Sequence, residues 1–484
     1  MGQMATLARA RKWAQVLGGL LGLSLTGLGE AVWAYCPAEL PERIEAIVER
    51  ADIGPARLGI VVEAEPGQAL YRRDADKLFL PASVMKLLTT AAALERLGPD
   101  FSVRTSVYAQ ATENGHRLYV VGRGDPTFDS QRLAALAQQV AAGGITRGTL
   151  LAGYDGYFPG RLVHPNWEWE DVLAGYGASA NGLILNENAL RLTLYPTQVG
   201  QPLRVEWQDP SQARFWRVEN TSRTVAVGQP STADIGRDWG QPILQVFGTL
   251  AADYGADRFA IAITQPGQHF MQQFRQQLQQ VGVNSVSPQL VSGLPSDLSE
   301  IAAVQSPPLS QWLPVVNQRS QNLYAEALLK ALGQTAAAPV EDATVQGTAV
   351  VQAVLKNLGI ESAYQMADGS GLSRHNLVTP QTLVDVLQAM ARHPHGDIYR
   401  RSLAVAGQQG TLRRRFLDTP AQGRLQGKTG YLSNNRSLAG YLQPAGHPPV
   451  VFSILINNSP ASARATRQLI DAVVLELAQL HACP

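Results

Sequence analysis

A serine three residues ahead of a lysine, Ser83-Val84-Met85-Lys86, is the arrangement in this 484-residue chain best suited to covalent chemistry. On the first turn of a helix, positions i and i+3 share a face, so the Lys86 amine would reach the Ser83 hydroxyl. A serine attacks only when a base takes its proton. A lysine serves as that base only when burial or a nearby cation lowers its pKa. A helix N-terminus adds backbone N–H groups aimed at developing negative charge. The chain has six lysines and one Ser-x-x-Lys. Taken alone, the spacing also fits an incidental surface pair.

Two further motifs could complete a site. Lys428-Thr429-Gly430, followed by Tyr431, offers a cation and a hydroxyl beside a predicted strand, which suits a substrate carboxylate. Alone it reads equally as a solvated turn. A second cation near Lys86 would also depress the Lys86 pKa. Ser-x-Asn occurs at Ser179-Ala180-Asn181, Ser320-Gln321-Asn322 and Ser433-Asn434-Asn435. The middle copy heads a helix-like segment and lies between the other two motifs in chain order. Its hydroxyl could relay a proton and its amide could hold a carbonyl.

In this order the three motifs match those of active-site-serine penicillin-recognising enzymes. The chain resembles the low-molecular-mass class C penicillin-binding proteins, the D-alanyl-D-alanine carboxypeptidase/endopeptidases of peptidase family S13. The resemblance covers essentially all of the chain after the leader. It rests on Leu80-Pro81-Ala82-Ser83-Val84-Met85-Lys86-Leu87-Leu88-Thr89-Thr90 and on Asp368-Gly369-Ser370-Gly371-Leu372-Ser373-Arg374-His375-Asn376. Gly124-Asp125-Pro126-Thr127, Asn186-Glu187-Asn188 and the long gap between Ser83 and Ser320 also fit.

The resemblance implies an acylated Ser83 with Lys86 as base, and Ser320 passing a proton to the leaving nitrogen. Asn322 would bind the substrate's peptide carbonyl, and Lys428 and Thr429 its terminal carboxylate. The Ser83 and Tyr431 N–H groups would form the oxyanion hole. Arg374 and Asp155 would form a side-chain pocket for diaminopimelate, although Asp155 also reads as an ordinary turn residue. The substrates would be peptidoglycan stem peptides, with β-lactams as covalent inhibitors and no cofactor or metal. One departure stands out. The family usually has Ser or Thr after Lys-Thr-Gly, and Tyr431 replaces that hydroxyl with a ring.

Positioning these residues requires a scaffold. Leu58–Val62 and Gln68–Tyr71 read as a hairpin across Pro66-Gly67. A helix carrying Leu87, Leu88, Ala91 and Leu94 follows Ser83 and ends at Gly98-Pro99. Residues 309–332, 344–358 and 380–392 read as helical. Leu438–Leu442 and Val450–Asn457 read as strands before a final amphipathic helix. The fold class expected is α/β (α+β): a penicillin-recognising, serine transpeptidase-like domain whose antiparallel sheet is flanked by helices, plus a largely β insertion of two small domains. The expected boundaries are a signal peptide at 1–34, a discontinuous catalytic domain at 35–100 and 298–484, one inserted domain at 101–125 and 200–297, and another at 126–199.

Bulk properties agree. Forty basic and 39 acidic residues leave a net charge of +1, which gives no case for nucleic acid. Arg9, Arg11 and Lys12, the apolar stretch Trp13–Leu28 and Val32-Trp33-Ala34 read as a secretory signal cleaved near Ala34. An uncleaved anchor is the alternative, and loose membrane association is a secondary expectation. The two cysteines, Cys36 and Cys483, suggest a disulfide in an oxidising compartment, with two free thiols as the alternative. Competing functional readings are a serine β-lactamase and a non-catalytic wall-binding scaffold. No compact Glu-bearing insertion favours the first, and the presence of Ser83, Lys86 and Lys428 argues against the second. The oligomeric state is left open.

Overall fold

Strands from both ends of the chain share one sheet. In the computed structural model, which describes residues 35–483 except 65–66, 211–212, 214–215, 239 and 338, six antiparallel strands lie side by side. Their order is Ala404–Val405, Leu425–Leu432, Asn435–Leu442, Val450–Asn457, Arg57–Ala64 and Gln68–Arg73. The strand Val450–Asn457 is buried along its whole length because both faces of the sheet are covered. Val450, Phe452, Ile454 and Ile456 enter one core, beneath the helices Leu40–Arg50 and Ala463–Leu477. Val451 and Leu455 enter the other, beneath Lys86–Leu97, Asn322–Gly333 and Pro380–Arg392. Each such side chain contributes about 1.5–3 kcal/mol when fully buried.

The terminal helices Leu40–Arg50 and Ala463–Leu477 pack together, and Cys36 is bonded to Cys483 with their Cα atoms 5.6 Å apart. The question left open between bridge and thiols thus resolves as a bridge. The signal sequence expected over residues 1–34 lies outside the described residues. Among the described residues, no helix is long and apolar enough to cross a membrane.

The helical stretch expected at 309–332 is two helices, Leu309–Asn317 and Asn322–Gly333. Ser320 separates them with φ +59°, a left-handed conformation that breaks the hydrogen-bond ladder.

Between the two halves of the catalytic sheet, the chain divides differently from the expected boundaries. Gly115–Val121 pairs in parallel with Arg147–Tyr154, and a parallel pair needs a crossover. The helix Ser130–Ala142 supplies it. Residues 126–154 therefore belong with Arg104–Thr112, Ser299–Gln305 and the helix Pro266–Gln280 in one sheet-and-helix unit with a single core, rather than in a domain ending at 199. The smaller sheets are formed within residues 189–262 around a separate core. The connection between residues 155 and 188 returns to the catalytic cleft.

Candidate active site

The turn Ala82–Met85 leads directly into the helix Lys86–Leu97. Ala82 takes φ +53°, which costs a non-glycine residue energy and sets the angle at which Ser83 leaves the strand connection. Two glycines let neighbouring chain press against this turn. A Cβ on Gly371 would run into the Ala82 carbonyl, and one on Gly430 would lie 2.7 Å from the Pro81 carbonyl.

Lys86 is fully buried. Its Nζ lies 3.0 Å from Ser83 Oγ, 2.7 Å from Asn322 Oδ1 and 2.6 Å from the Ser370 carbonyl oxygen. The last two atoms can only accept. A neutral amine therefore donates its two hydrogens to them and turns its lone pair to the Ser83 hydroxyl. Burial pushes the Lys86 pKa down to about 7, against the upward pull of Asp368 and Glu326. The downward push expected from Lys428 is replaced here by burial.

Lys428 is also fully buried and donates to Ser320 Oγ at 2.8 Å and to the Thr429 carbonyl at 2.8 Å. Burial first, and then the Lys86 charge, hold its pKa well below the ordinary lysine value. Thr429 Oγ1 donates to Thr411 Oγ1 at 2.8 Å. From Lys428 to Leu432 the strand pairs with Asn435–Leu442 on one side only, since Ala404–Val405 pairs no further than Gln426 and Gly427.

The Asp368–Asn376 block is a loop organised around one carboxylate. Asp368, fully buried, accepts from the N–H groups of Gly371 and Ser373, from Asn376 Nδ2 and from Trp167 Nε1. This fixes the Ser370 carbonyl against Lys86. Glu326 accepts from the Ser370 N–H at 2.8 Å. Burial and Asp368 raise its pKa to about 7. Glu326 stands four residues after Asn322 on one helix face, the spacing that could have flagged it in the sequence.

Ser83, Ser320, Asn322, Thr429, Tyr431 and Arg374 line one cleft of about 360 Å³. A larger cavity of about 700 Å³ lies on the helix Pro266–Gln280, far along the chain from these groups and with no lysine base. Of the three Ser-x-Asn copies, only Ser320 and Asn322 bond to the lysines. Asn181 instead donates to Asp155 at 2.8 Å, and Asn435 bonds the Ser433 carbonyl within its hairpin.

Asp155 is the clearest correction. It does not meet Arg374. Its carboxylate accepts from Asn181 Nδ2 and the Leu183 N–H, and its pKa is raised, by burial above all. Arg374 Nε donates instead to Glu168 Oε1 at 2.5 Å. Glu168, Asp171 and Tyr176 line the cleft, and the Tyr176 carbonyl accepts from Asn322 Nδ2 at 2.9 Å. These three come from an irregular connection whose spacing carries no periodic signal.

Tyr431 turns outward. Its ring is 60% exposed, and the Arg436 guanidinium lies 3.9 Å from the ring centroid. It lines the cleft without filling it.

Residues 40–480 match the D-Ala-D-Ala carboxypeptidase 3 (S13) family. The chain belongs to that family. It is 34% identical over 487 residues to the D-alanyl-D-alanine carboxypeptidase of Actinomadura sp., covering 95% of this chain and 89% of that protein. It is 30% identical to the penicillin-sensitive carboxypeptidase A of Dictyostelium discoideum, covering 82% of each. The crystal structure of penicillin binding protein 4 from Haemophilus influenzae superposes with a TM-score of 0.77 at 22% identity, over 90% of this chain and 98% of that one. The penicillin-recognising fold expected from the sequence is thus the fold found, and the chain is an enzyme of this peptidase family.

Proposed function

We propose that this S13 peptidase cleaves the D-Ala-D-Ala ends of peptidoglycan stem peptides through a Ser83 acyl-enzyme. The observation that carries this reading is the fully buried Lys86 amine 3.0 Å from Ser83 Oγ, with its other two bonds going to pure acceptors. At neutral pH about half of such an amine is unprotonated, given a pKa of about 7. It takes the Ser83 proton as Oγ attacks the peptide carbonyl. The Ser83 and Tyr431 N–H groups receive the oxyanion. Asn322 Nδ2 has a second hydrogen for the substrate's preceding carbonyl. Collapse of the adduct breaks the C–N bond, and Ser320, bonded to Lys428, passes a proton to the leaving nitrogen. Water then hydrolyses the ester and returns the proton to Ser83.

Thr429 and Lys428 hold the leaving carboxylate. Arg374, with Glu168 and Asp171 beside it, suits a side chain that ends in both an ammonium and a carboxylate, as the third stem residue does when it is diaminopimelate. Terminal trimming and cross-link cleavage differ only in what the leaving nitrogen carries. β-Lactams acylate the same serine, in keeping with the penicillin sensitivity named for the Dictyostelium relative. The leader-like first 34 residues and the Cys36–Cys483 bridge support an exported, periplasmic or other extracytoplasmic location.

Fluorescent penicillin and a stem pentapeptide test the reading. The wild-type protein should be labelled and should release D-alanine. Ser83→Ala should lose labelling completely and keep its thermal midpoint. Labelling that survives removes Ser83 as nucleophile, and sustained nitrocefin turnover moves the reading to a lactamase.

A further inference from the structure

Beside Thr429 and Tyr431 lies a second cavity, about 290 Å³, lined by Arg413, Arg414, Arg415, Arg436 and Arg467. It shares Thr411, Thr429 and Tyr431 with the catalytic cleft, so the two spaces adjoin. Three separate elements supply the arginines: the stretch after the turn Gly410–Leu412, the strand Asn435–Leu442 and the helix Ala463–Leu477. Among the described residues no carboxylate lines the cavity. Asp471, next to it, accepts from Arg415 Nε at 3.1 Å and offsets one charge. Arg436 is pushed below the ordinary arginine range, by burial first and then by Arg467 and Arg415. Like charges gathered in one concavity repel, and an anion relieves that repulsion.

Position decides which anion. Thr429 marks where the leaving carboxylate ends under the function proposed above, so the arginine cavity receives whatever lies beyond it. A free D-alanine has nothing further to offer. A second stem peptide, attached through its side-chain amine, carries several more carboxylates. We propose that the arginine cavity binds carboxylates of a leaving peptide stem and so favours cross-linked stem dimers over monomeric stems as substrates. The chain's net charge of +1 makes this a local device rather than part of a generally cationic surface.

The inference rests on the peptidase reading, and the test separates the two. Purified protein is given a cross-linked stem dimer and a monomeric pentapeptide stem, and kcat/KM is measured for each. Arg413→Gln with Arg414→Gln should lower the dimer-to-monomer ratio about tenfold, the loss expected for a charge-assisted contact. Arg467→Gln, on another element, should lower it in the same direction, which guards against a local folding defect. Added salt should lower the wild-type ratio more than the variant ratio. A variant ratio equal to wild type overturns the proposal, as does a wild-type enzyme that trims monomers and leaves dimers intact. Inorganic phosphate that inhibits both substrates equally would point to a phosphate site and also overturn it. Failure of labelling and of both cleavages would instead sink the peptidase reading.

Discussion

On the wall that carries Ser83, the Lys86 amine, the Asn322 amide, the Ser370 peptide and the Glu326 carboxylate are bonded to one another away from water. On the wall formed by the Lys428 strand and its neighbours, Tyr431 is 60% exposed and five arginines surround an open cavity. The difference follows from what each wall must do. A base tuned to about neutral pH needs a dry, fixed setting, because water would restore the ordinary lysine value. A recognition surface needs polar groups the fold has not already satisfied, because substrate must satisfy them.

Lys428 sits on the second wall but is buried like the first, so it is the sharpest place to break the comparison. Lys428→Ala should raise the acylation barrier by about 2–4 kcal/mol, the range for losing one preorganised electrostatic donor. Stopped-flow acylation by a β-lactam reads this directly. An unchanged rate would assign Lys428 to the recognition wall alone.

The two walls were not equally legible. Ser83, Lys86, Lys428 and Asn322 were readable because short motifs on a helix or strand fix their relative positions. The sheet and its flanking helices were readable because alternating and helical periodicities leave repeated marks, as in Val450–Asn457. Glu168, Asp171, Tyr176 and Thr411 were not, because irregular chain carries no period and their neighbours come from residues hundreds of positions away. Asp155 misled for the same reason. Its letters suit a pocket, but Asn181 and the Leu183 N–H claim its carboxylate. The inserted boundaries failed where a parallel pair, Gly115–Val121 with Arg147–Tyr154, joined segments that looked separate.

Glu326 probes the dry wall more gently. Its charge pulls the Lys86 pKa upward, so removing it should lower that pKa further. Only the neutral amine accepts the serine proton, so acylation should rise as pH increases through about 7 in the wild type. In Glu326→Gln the rise should move to lower pH, while the side-chain oxygen still accepts from the Ser370 N–H. A pH profile of second-order acylation checks this. A limb that stays in place or moves upward would mean that Glu326 only supports the loop.

Tyr431 gives the smallest expected effect and bears most directly on the open wall. Its side chain supplies no hydroxyl at the first position beyond the ring's Cβ, and its exposed stack on Arg436 is worth about 0.5–1 kcal/mol. Tyr431→Thr should therefore cost little stability, since threonine suits a strand. It should also give the leaving carboxylate a second hydroxyl beside Thr429. A hydrogen bond to a charged group contributes about 1.5–3 kcal/mol at best, and solvent exposure reduces that, so D-alanine release should improve about three- to tenfold in kcat/KM. The backbone N–H assigned to the oxyanion is unchanged, so the gain should appear in KM more than in kcat. If release from the pentapeptide falls instead, the ring itself contacts substrate, and the open wall is already shaped for a leaving group larger than D-alanine.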